Sequence, residues 1–382
     1  MSAPCKTRLV FGKELPLGVR AHALESNATA IDFAAHYGFP TAGPIQTWIA
    51  IPELGGGYAM SDIKLCCDEI GCDVPEIVDM GVGGAKNNFT GNPNSADGEV
   101  GLDIQTPIRL TKGKVKFIVG WAPNTDSGFP AIINLLAADG RACALSNSWG
   151  QNEKGWTASA MNAMIQAGLN CAKAGMSPFA ASGDDGSSDG AIGNNVDVPA
   201  ALYSWIGCGG TSLVTGKETA WSFGGGGLSR ETTRPIWQLI GGNMRGVPDL
   251  SANADSNSGY PVYIAGKRYV FGGTSAVSPL WAAAVALIVS HTGKKLGFFL
   301  PDLYQHADLT DITTGTNGAY KAAIGYDFCT GLGVPNAAFF ARMLAAAPPV
   351  PPTPPQPPLP PVAQEHVIKF DGPFTIDGVQ HN

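Results

Sequence analysis

Gly272-Gly273-Thr274-Ser275-Ala276-Val277-Ser278-Pro279 joins a short strand-like run, Arg268-Tyr269-Val270-Phe271, to the apolar and helix-forming Leu280 to Val289. Glycines let the backbone turn sharply and bring it close to a substrate. A serine in the first turn of a helix places its hydroxyl beside N–H groups that have no partner within the helix. The stretch reads as a nucleophilic serine, Ser275, at a strand-to-helix turn.

A serine hydroxyl is inert until a base takes its proton, and the usual base is a histidine oriented by a carboxylate. The six histidines do not fit. His22 and His36 lie in a polar N-terminal stretch, His291 and His306 near the ends of helix-like segments, and His366 and His381 in the tail. None precedes the Gly-Thr that follows the histidine of subtilisin-like peptidases. The base for Ser275 must then be a carboxylate.

Asp97-Gly98-Glu99-Val100-Gly101-Leu102-Asp103-Ile104 supplies one, because Glu99 and Asp103 are four apart and share a helical face. Two carboxylates at close range cannot both ionise cheaply. One keeps its proton to higher pH, and the pair can pass a proton on, a behaviour suited to acid. A third carboxylate lies in Ser182-Gly183-Asp184, after the apolar Pro178-Phe179-Ala180 that reads as the end of a buried strand. Subtilisin-like enzymes carry an asparagine donor in this setting. Asp184 can donate to an oxyanion only while protonated, which again points to low pH.

Together these pieces resemble the sedolisin family, the serine-carboxyl peptidases. The resemblance spans roughly residues 30–345. It rests on Gly-Gly-Thr-Ser-Ala at 272–276, Glu99 with Asp103, Ser-Gly-Asp at 182–184 and Ser148-Trp149-Gly150. Glu53-Leu54-Gly55-Gly56-Gly57-Tyr58 after Thr47-Trp48-Ile49-Ala50-Ile51 adds to it, as does Asp311-Ile312-Thr313 paired with Gly325-Tyr326-Asp327. The resemblance implies an α/β, subtilisin-like fold: a mostly parallel sheet flanked by helices in a single catalytic domain. It implies Ser275 as nucleophile of an acid-active endopeptidase, Glu99 as general base and then acid, Asp103 as its partner and Asp184 as oxyanion donor. Glu53 and Trp149 match positions that extend the hydrogen-bond chain behind the dyad.

Substrate contacts are expected to be largely main chain, through Ser148, Trp149 and Gly150 at the end of the strand-like Ala144-Leu145-Ser146-Asn147. Gly224 to Gly227 either faces the substrate from the other side or is a plain flexible loop. The resemblance also implies one structural Ca2+, held by the side chains of Asp311 and Asp327 and the carbonyls of Ile312, Ala323 and Gly325. Ala323 stands where the family commonly has glycine, and Phe328 where it commonly has proline.

Composition agrees with this reading. The 382 residues are 44% apolar, enough for one large core, and show no tandem repeat. Only 14% are charged, against about 25% in ordinary soluble proteins, which limits self-repulsion as carboxylates titrate. The net charge of -7 and the lack of a basic cluster exclude nucleic acid as an expected partner. Leu280 to Val289, the strongest apolar helix, is too short to span a bilayer, so no membrane is expected. The expected partners are polypeptide substrates, acting on a monomer. Fifty glycines, with strand-like Lys116 to Val119 and Gly259 to Ile264 alternating with helix-like Ala158 to Gly175, argue for the parallel sheet on their own.

The eight cysteines, Cys5, Cys66, Cys67, Cys72, Cys143, Cys171, Cys208 and Cys329, form no Cys-x-x-Cys pair, so a zinc ribbon is not expected. Cys66 and Cys72 could bridge a turn, whereas Cys143, Cys171 and Cys208 read as packed thiols.

The expected organisation is a short extension at 1–29, the peptidase domain at 30–347, a proline-rich linker at 348–362 and a short tail at 363–382. Ten of the fourteen residues 348–361 are proline, which favours a stiff polyproline II spacer. Family members are usually made with a long propeptide behind a secretion signal. The longest apolar run in residues 1–20 is about three, against about 7 to 15 in a signal peptide, which leaves two readings open: an enzyme that folds without a covalent propeptide, or one whose propeptide is separate or missing because the start lies inside a longer precursor. The resemblance implies an extracellular location, which no signal in this sequence supports. Asn27-Ala28-Thr29 and Asn88-Phe89-Thr90 match the glycosylation triplet. Two other readings stay open: a catalytically idle peptide-binding homologue, and an esterase or amidase on the same serine.

Overall fold

Thr47-Trp48-Ile49-Ala50-Ile51-Pro52-Glu53 has the near-continuous apolar character of a strand covered on both faces. In the computed structural model of the chain it is β1 (Thr47–Glu53), in the interior of an eight-stranded sheet. The structure describes residues 31–214 and 216–345, with the backbone of three short outlying strands, Lys6–Thr7, Phe374–Ile376 and Val379–His381. The expected extension, linker and tail otherwise lie outside the described residues, as do Cys5 and the triplet at Asn27.

Seven strands run parallel. Their order in space is β2 (Ile77–Gly81), β3 (Val115–Trp121), β1, β4 (Ala144–Asn147), β5 (Ser177–Ala181), β6 (Ile206–Val214) and β8 (Leu250–Asn253). Between the last two in sequence, β7 (Lys217–Ala220) folds back antiparallel on the far end of β6. Parallel neighbours need crossovers, and helices supply them on both sides of the sheet. α2 (Ala96–Thr111) and α5 (Val277–Thr292) cover one face, with α1 (Met60–Ile70) beside α2. α3 (Gly128–Asp139) and α4 (Ala158–Lys173) cover the other.

Alternation along each strand divides the core in two. Ile49 and Ile51 of β1 and Phe117, Val119 and Trp121 of β3 pack with Val100, Leu102 and Trp281 of α2 and α5. Ala50 and Ile118 point the other way, toward Ile132, Leu136, Met164 and Leu169 of α3 and α4. Glu53 has the parity of Ile49 and Ile51, so its carboxyl is carried to the α2 face and buried there. The arrangement is the expected mostly parallel α/β sheet flanked by helices.

The nucleophile turn follows the hairpin β9 (Tyr260–Ile264) and β10 (Lys267–Phe271). Gly272 and Gly273 are required. A Cβ on Gly272 would sit 2.4 Å from the Ala254 carbonyl oxygen, and Gly273 has φ +111° while its N–H bonds that same oxygen. One 3-10 turn, Thr274–Ala276, then runs into α5, which is longer at both ends than the apolar run Leu280 to Val289. Pro279 is tolerated because the first turn has no amide to lose. Thr274–Thr292 is long and apolar enough to cross a membrane, but 94% of that window is buried in the protein, as in a core helix.

Candidate active site

Ser275, Glu99, Asp103, Asp184 and Glu53 come from different elements and converge. Ser275 is at the turn into α5, Glu99 and Asp103 are on the first turns of α2, Asp184 follows β5, and Glu53 ends β1. All five are buried. α2 begins at Ser95, whose hydroxyl accepts the Asp97 N–H, and Asp97 in turn accepts the Thr90 N–H at 2.8 Å and its hydroxyl at 2.6 Å. This tethered start sets the register of the helix, so that i and i+4 bring both carboxyls to one face. Pro107 lies one turn beyond Asp103 and cannot donate to its carbonyl.

Burial pushes Glu99 well above the usual carboxylate range, and the charge of Asp103 adds to this, while the hydroxyls of Ser275 and Ser148 oppose it. Asp103 is raised first by burial and then by Glu53, against the Ser148 hydroxyl. Glu53 is raised by burial and by Glu99, against the indole of Trp149. Three mutually repelling carboxyls in an apolar setting retain protons that water would have removed. Both Glu99 oxygens, Asp103 Oδ2 and Ser275 Oγ are buried without a hydrogen bond in this geometry. The serine is close enough to favour ionised Glu99 yet not aligned to it, as is common before substrate binds.

The surrounding bonds fix which oxygen does what. The Ser148 hydroxyl donates to Asp103 Oδ1 at 2.7 Å, and the Trp149 indole N–H donates to Glu53 Oε2 at 2.9 Å. The Thr274 N–H and hydroxyl both donate to Asp184 Oδ1, at 2.7 and 2.9 Å. Any proton on Asp184 is thereby directed to Oδ2. Two of these contacts go beyond the sequence reading, which gave Ser148 a backbone role only and assigned Thr274 none. The adjacency of Thr274 to the nucleophile was the available signal.

The three histidines among the described residues are engaged elsewhere: His36 with Glu218, His291 with the Thr41 carbonyl and His306 with Asp302. Beyond β4 the chain continues as a strand, Trp149–Asn152, paired antiparallel with Asp197–Val198 through Gln151 and Asn152. At Trp149 and Gly150 the same strand pairs antiparallel with Lys6–Thr7, so this edge accepts an added strand. Gly224 to Gly227 is not a free loop. The Gly225 N–H bonds the Gly183 carbonyl at 2.7 Å, and a Cβ there would lie 1.9 Å from the Ser182 carbonyl oxygen. The close approach expected toward a substrate is made instead to the loop that holds Asp184.

At the other expected site, Asp311 Oδ2 accepts the Gly325 N–H at 2.8 Å and Asp327 Oδ2 accepts the Ala323 N–H at 2.9 Å. Asp327 Oδ1 takes the Cys329 and Thr330 amides. Asp311 Oδ1 is buried and has no protein donor. Among the described residues no cluster of three or more His, Cys, Asp and Glu side chains could hold a metal, and a site built on two carboxylates and three carbonyls would not form one. The cysteine expectation needs correction. Cys66 and Cys67 are both buried in the core, and they and Cys72 are free thiols, so no bridge joins Cys66 to Cys72. Cys143, Cys171 and Cys208 are buried free thiols as expected, with burial pushing Cys143 up to about 12.

Comparison with known proteins agrees with this geometry. The model of the subtilase family matches residues 124–326, just over half of the chain. The chain belongs to the subtilase family. The match includes Asp184 and Ser275 but starts after α2, the helix that carries Glu99 and Asp103. Within the family the sedolisin resemblance holds. The chain is 41% identical over 341 residues to kumamolisin from Bacillus sp. (strain MN-32), covering 80% of this chain and 62% of that protein. It is 29% identical over 389 residues to xanthomonalisin from Xanthomonas sp. (strain T-22), covering 83% of this chain and 46% of the other. It thus spans about half to two thirds of the length of these relatives. Pseudomonas sedolisin, a serine-carboxyl proteinase solved with two molecules of pseudo-iodotyrostatin, superposes with a TM-score of 0.74 at 24% identity, over 82% of this chain and 95% of that one.

Proposed function

We propose that this protein is an acid-active serine-carboxyl endopeptidase. The observation that carries the reading is the meeting of Ser275 with the buried, mutually repelling Glu99 and Asp103 where the family otherwise uses histidine. Peptide pairs through its main chain with the edge at Ser148, Trp149 and Gly150, a reading supported by the strand already accommodated there. Glu99, with its proton passed toward Asp103, takes the hydrogen from Ser275 Oγ as that oxygen attacks the carbonyl carbon. Protonated Asp184 donates from Oδ2 to the oxyanion. Glu99 then returns the proton to the departing amine, leaving an acyl-enzyme on Ser275. Water enters with the same base and reverses the sequence of proton transfers. Trp149 and Glu53 hold the far side of the dyad.

One structural Ca2+ belongs to the proposal, on Asp311 and Asp327 with the carbonyls of Ile312, Ala323 and Gly325. The buried, unpartnered Asp311 Oδ1 suits a cation, whose role would be to tie the loop and not to take part in catalysis.

The test is cleavage of a mixed peptide library, including chains with blocked N-termini, from acid to neutral pH. Acid-dependent internal cleavage is expected, abolished in Ser275→Ala and nearly so in Glu99→Gln, both remaining folded. Undiminished cleavage by Ser275→Ala would move the nucleophile elsewhere. Binding without cleavage at any pH would instead favour an idle homologue, and hydrolysis confined to esters or simple amides the third reading.

A further inference from the structure

We infer that the side chain of Ser148, and not only its backbone, is a positioning residue of the dyad, its hydroxyl fixing Asp103. The inference rests on the reading of Glu99 and Asp103 as the proton-transfer pair. Ser148 follows β4 and is buried, in the single residue between that strand and Trp149–Asn152. Its hydroxyl has one proton and two acceptors in range, Asp103 Oδ1 at 2.7 Å and the Ser275 carbonyl at 3.2 Å. The shorter, charge-assisted bond takes the proton.

The charged groups acting on the pair come from several elements. Glu99 and Asp103 lie on α2, Glu53 at the end of β1 acts on Asp103, and Asp184 after β5 acts on Glu99. All are acids, so a neutral donor is the kind of group that can stabilise one ionised member without adding charge. A merely structural Ser148, tying β4 to the turn through the Ser275 carbonyl, would change stability and leave proton affinity alone.

Ser148→Ala separates the two. Loss of a donor to the ionised form raises the proton affinity of the dyad, so the acid limb of kcat/KM moves up by about one pH unit. Ser148→Thr, which keeps the hydroxyl, restores the parent limb. Ser148→Cys, a weak donor of similar size, gives a smaller shift in the same direction and serves if the alanine variant does not fold. The same substitutions in the Ser275→Ala protein are followed by infrared titration of the carboxyl band, which needs no turnover. A carboxyl titration displaced upward by the loss of the hydroxyl supports the inference even if no peptide is cleaved, whereas absent cleavage alone counts against the functional reading. Folded variants whose acid limb and carboxyl titration both match the parent would overturn it.

Discussion

Replacement of Asp184 tests whether its carboxyl donates a hydrogen bond or surrenders its proton. Two donors from Thr274 converge on Oδ1, so the protonated group has its hydroxyl at Oδ2. Asparagine meets the same constraint with its amide oxygen in place of Oδ1, and its NH2 then lies where Oδ2 was. Asp184→Ala removes the donor outright, and the loss of one oxyanion donor costs about 10²–10³ in kcat, or about 2.7–4 kcal/mol. Asp184→Asn should therefore recover most of that loss. Since an amide does not titrate, the alkaline limb of its kcat profile should also move upward, leaving the acid limb of the dyad in place. Steady-state kinetics on one internally quenched peptide, run from acid to beyond neutral for all three proteins, reads both effects. An asparagine variant as slow as the alanine one, with both folded, would refute hydrogen-bond donation as the role of Asp184 and require full transfer of its proton to the oxyanion. An unmoved alkaline limb with good activity would show that another group controls it.

The pH dependence of stability should mirror the raised carboxyls. Glu53, Glu99 and Asp103 bind protons more tightly folded than unfolded, so the stabilisation they confer is present below the ordinary carboxylate range and lost as pH rises through their folded values. Each unit of upward shift contributes about 1.4 kcal/mol to that loss. Thermal midpoints of the Ser275→Ala protein should fall between mildly acid and neutral pH, and Glu99→Gln should flatten the fall; a profile unchanged by Glu99→Gln would contradict it. Chelation should lower the midpoint by about 2–4 °C for each kcal/mol of calcium binding lost, and Asp311→Asn should lower the protein to the same level and make it insensitive to chelator, with equal response in both proteins counting against the site. Because Lys6–Thr7 pairs with Trp149 and Gly150, removing residues 1–29 should lower KM for an extended peptide with little change in kcat, and an unchanged KM would mean that the segment does not compete with substrate.

The local signals in the sequence were strong wherever one residue type had few alternatives. Gly272-Gly273 announced a turn because no side chain fits between Ala254 and Ser256, and the i,i+4 spacing of Glu99 and Asp103 survives unchanged on α2. What the sequence left open was set by packing at long range. The order of the seven parallel strands depends on crossovers that no local pattern encodes. The contact of Gly225 with Ser182 joins residues far apart in the chain, so the glycine run was equally compatible with a flexible loop. Ser148 and Thr274 were legible as motif members but not as donors, because a hydroxyl's partner is decided by which elements meet around it. The Cys66–Cys72 bridge was misread for a related reason. Cys72 follows the left-handed Gly71 at the end of α1, where its N–H closes the helix on the Cys67 carbonyl and its thiol stays free.

Under the proposed mechanism, the burial that makes this site costly at neutral pH is also what lets a carboxylate serve as the base. Glu53 and Asp103 are acted on by burial, other acids and neutral donors, with no lysine or arginine among them. A cation there would have pulled the carboxyls into permanent ionisation, leaving Glu99 too weak a base to remove a serine proton and no proton to share with Asp103. Apolar walls and mutual repulsion instead raise the proton affinity of the group that must accept a hydrogen from Ser275. Asp184 needs the opposite form of the same chemical group, a carboxyl that stays protonated while it donates. On the proposed mechanism both demands are met together only over an acid interval, in which the dyad has lost one proton and Asp184 has kept its own, and the width of that interval would set the range over which Ser275 acts.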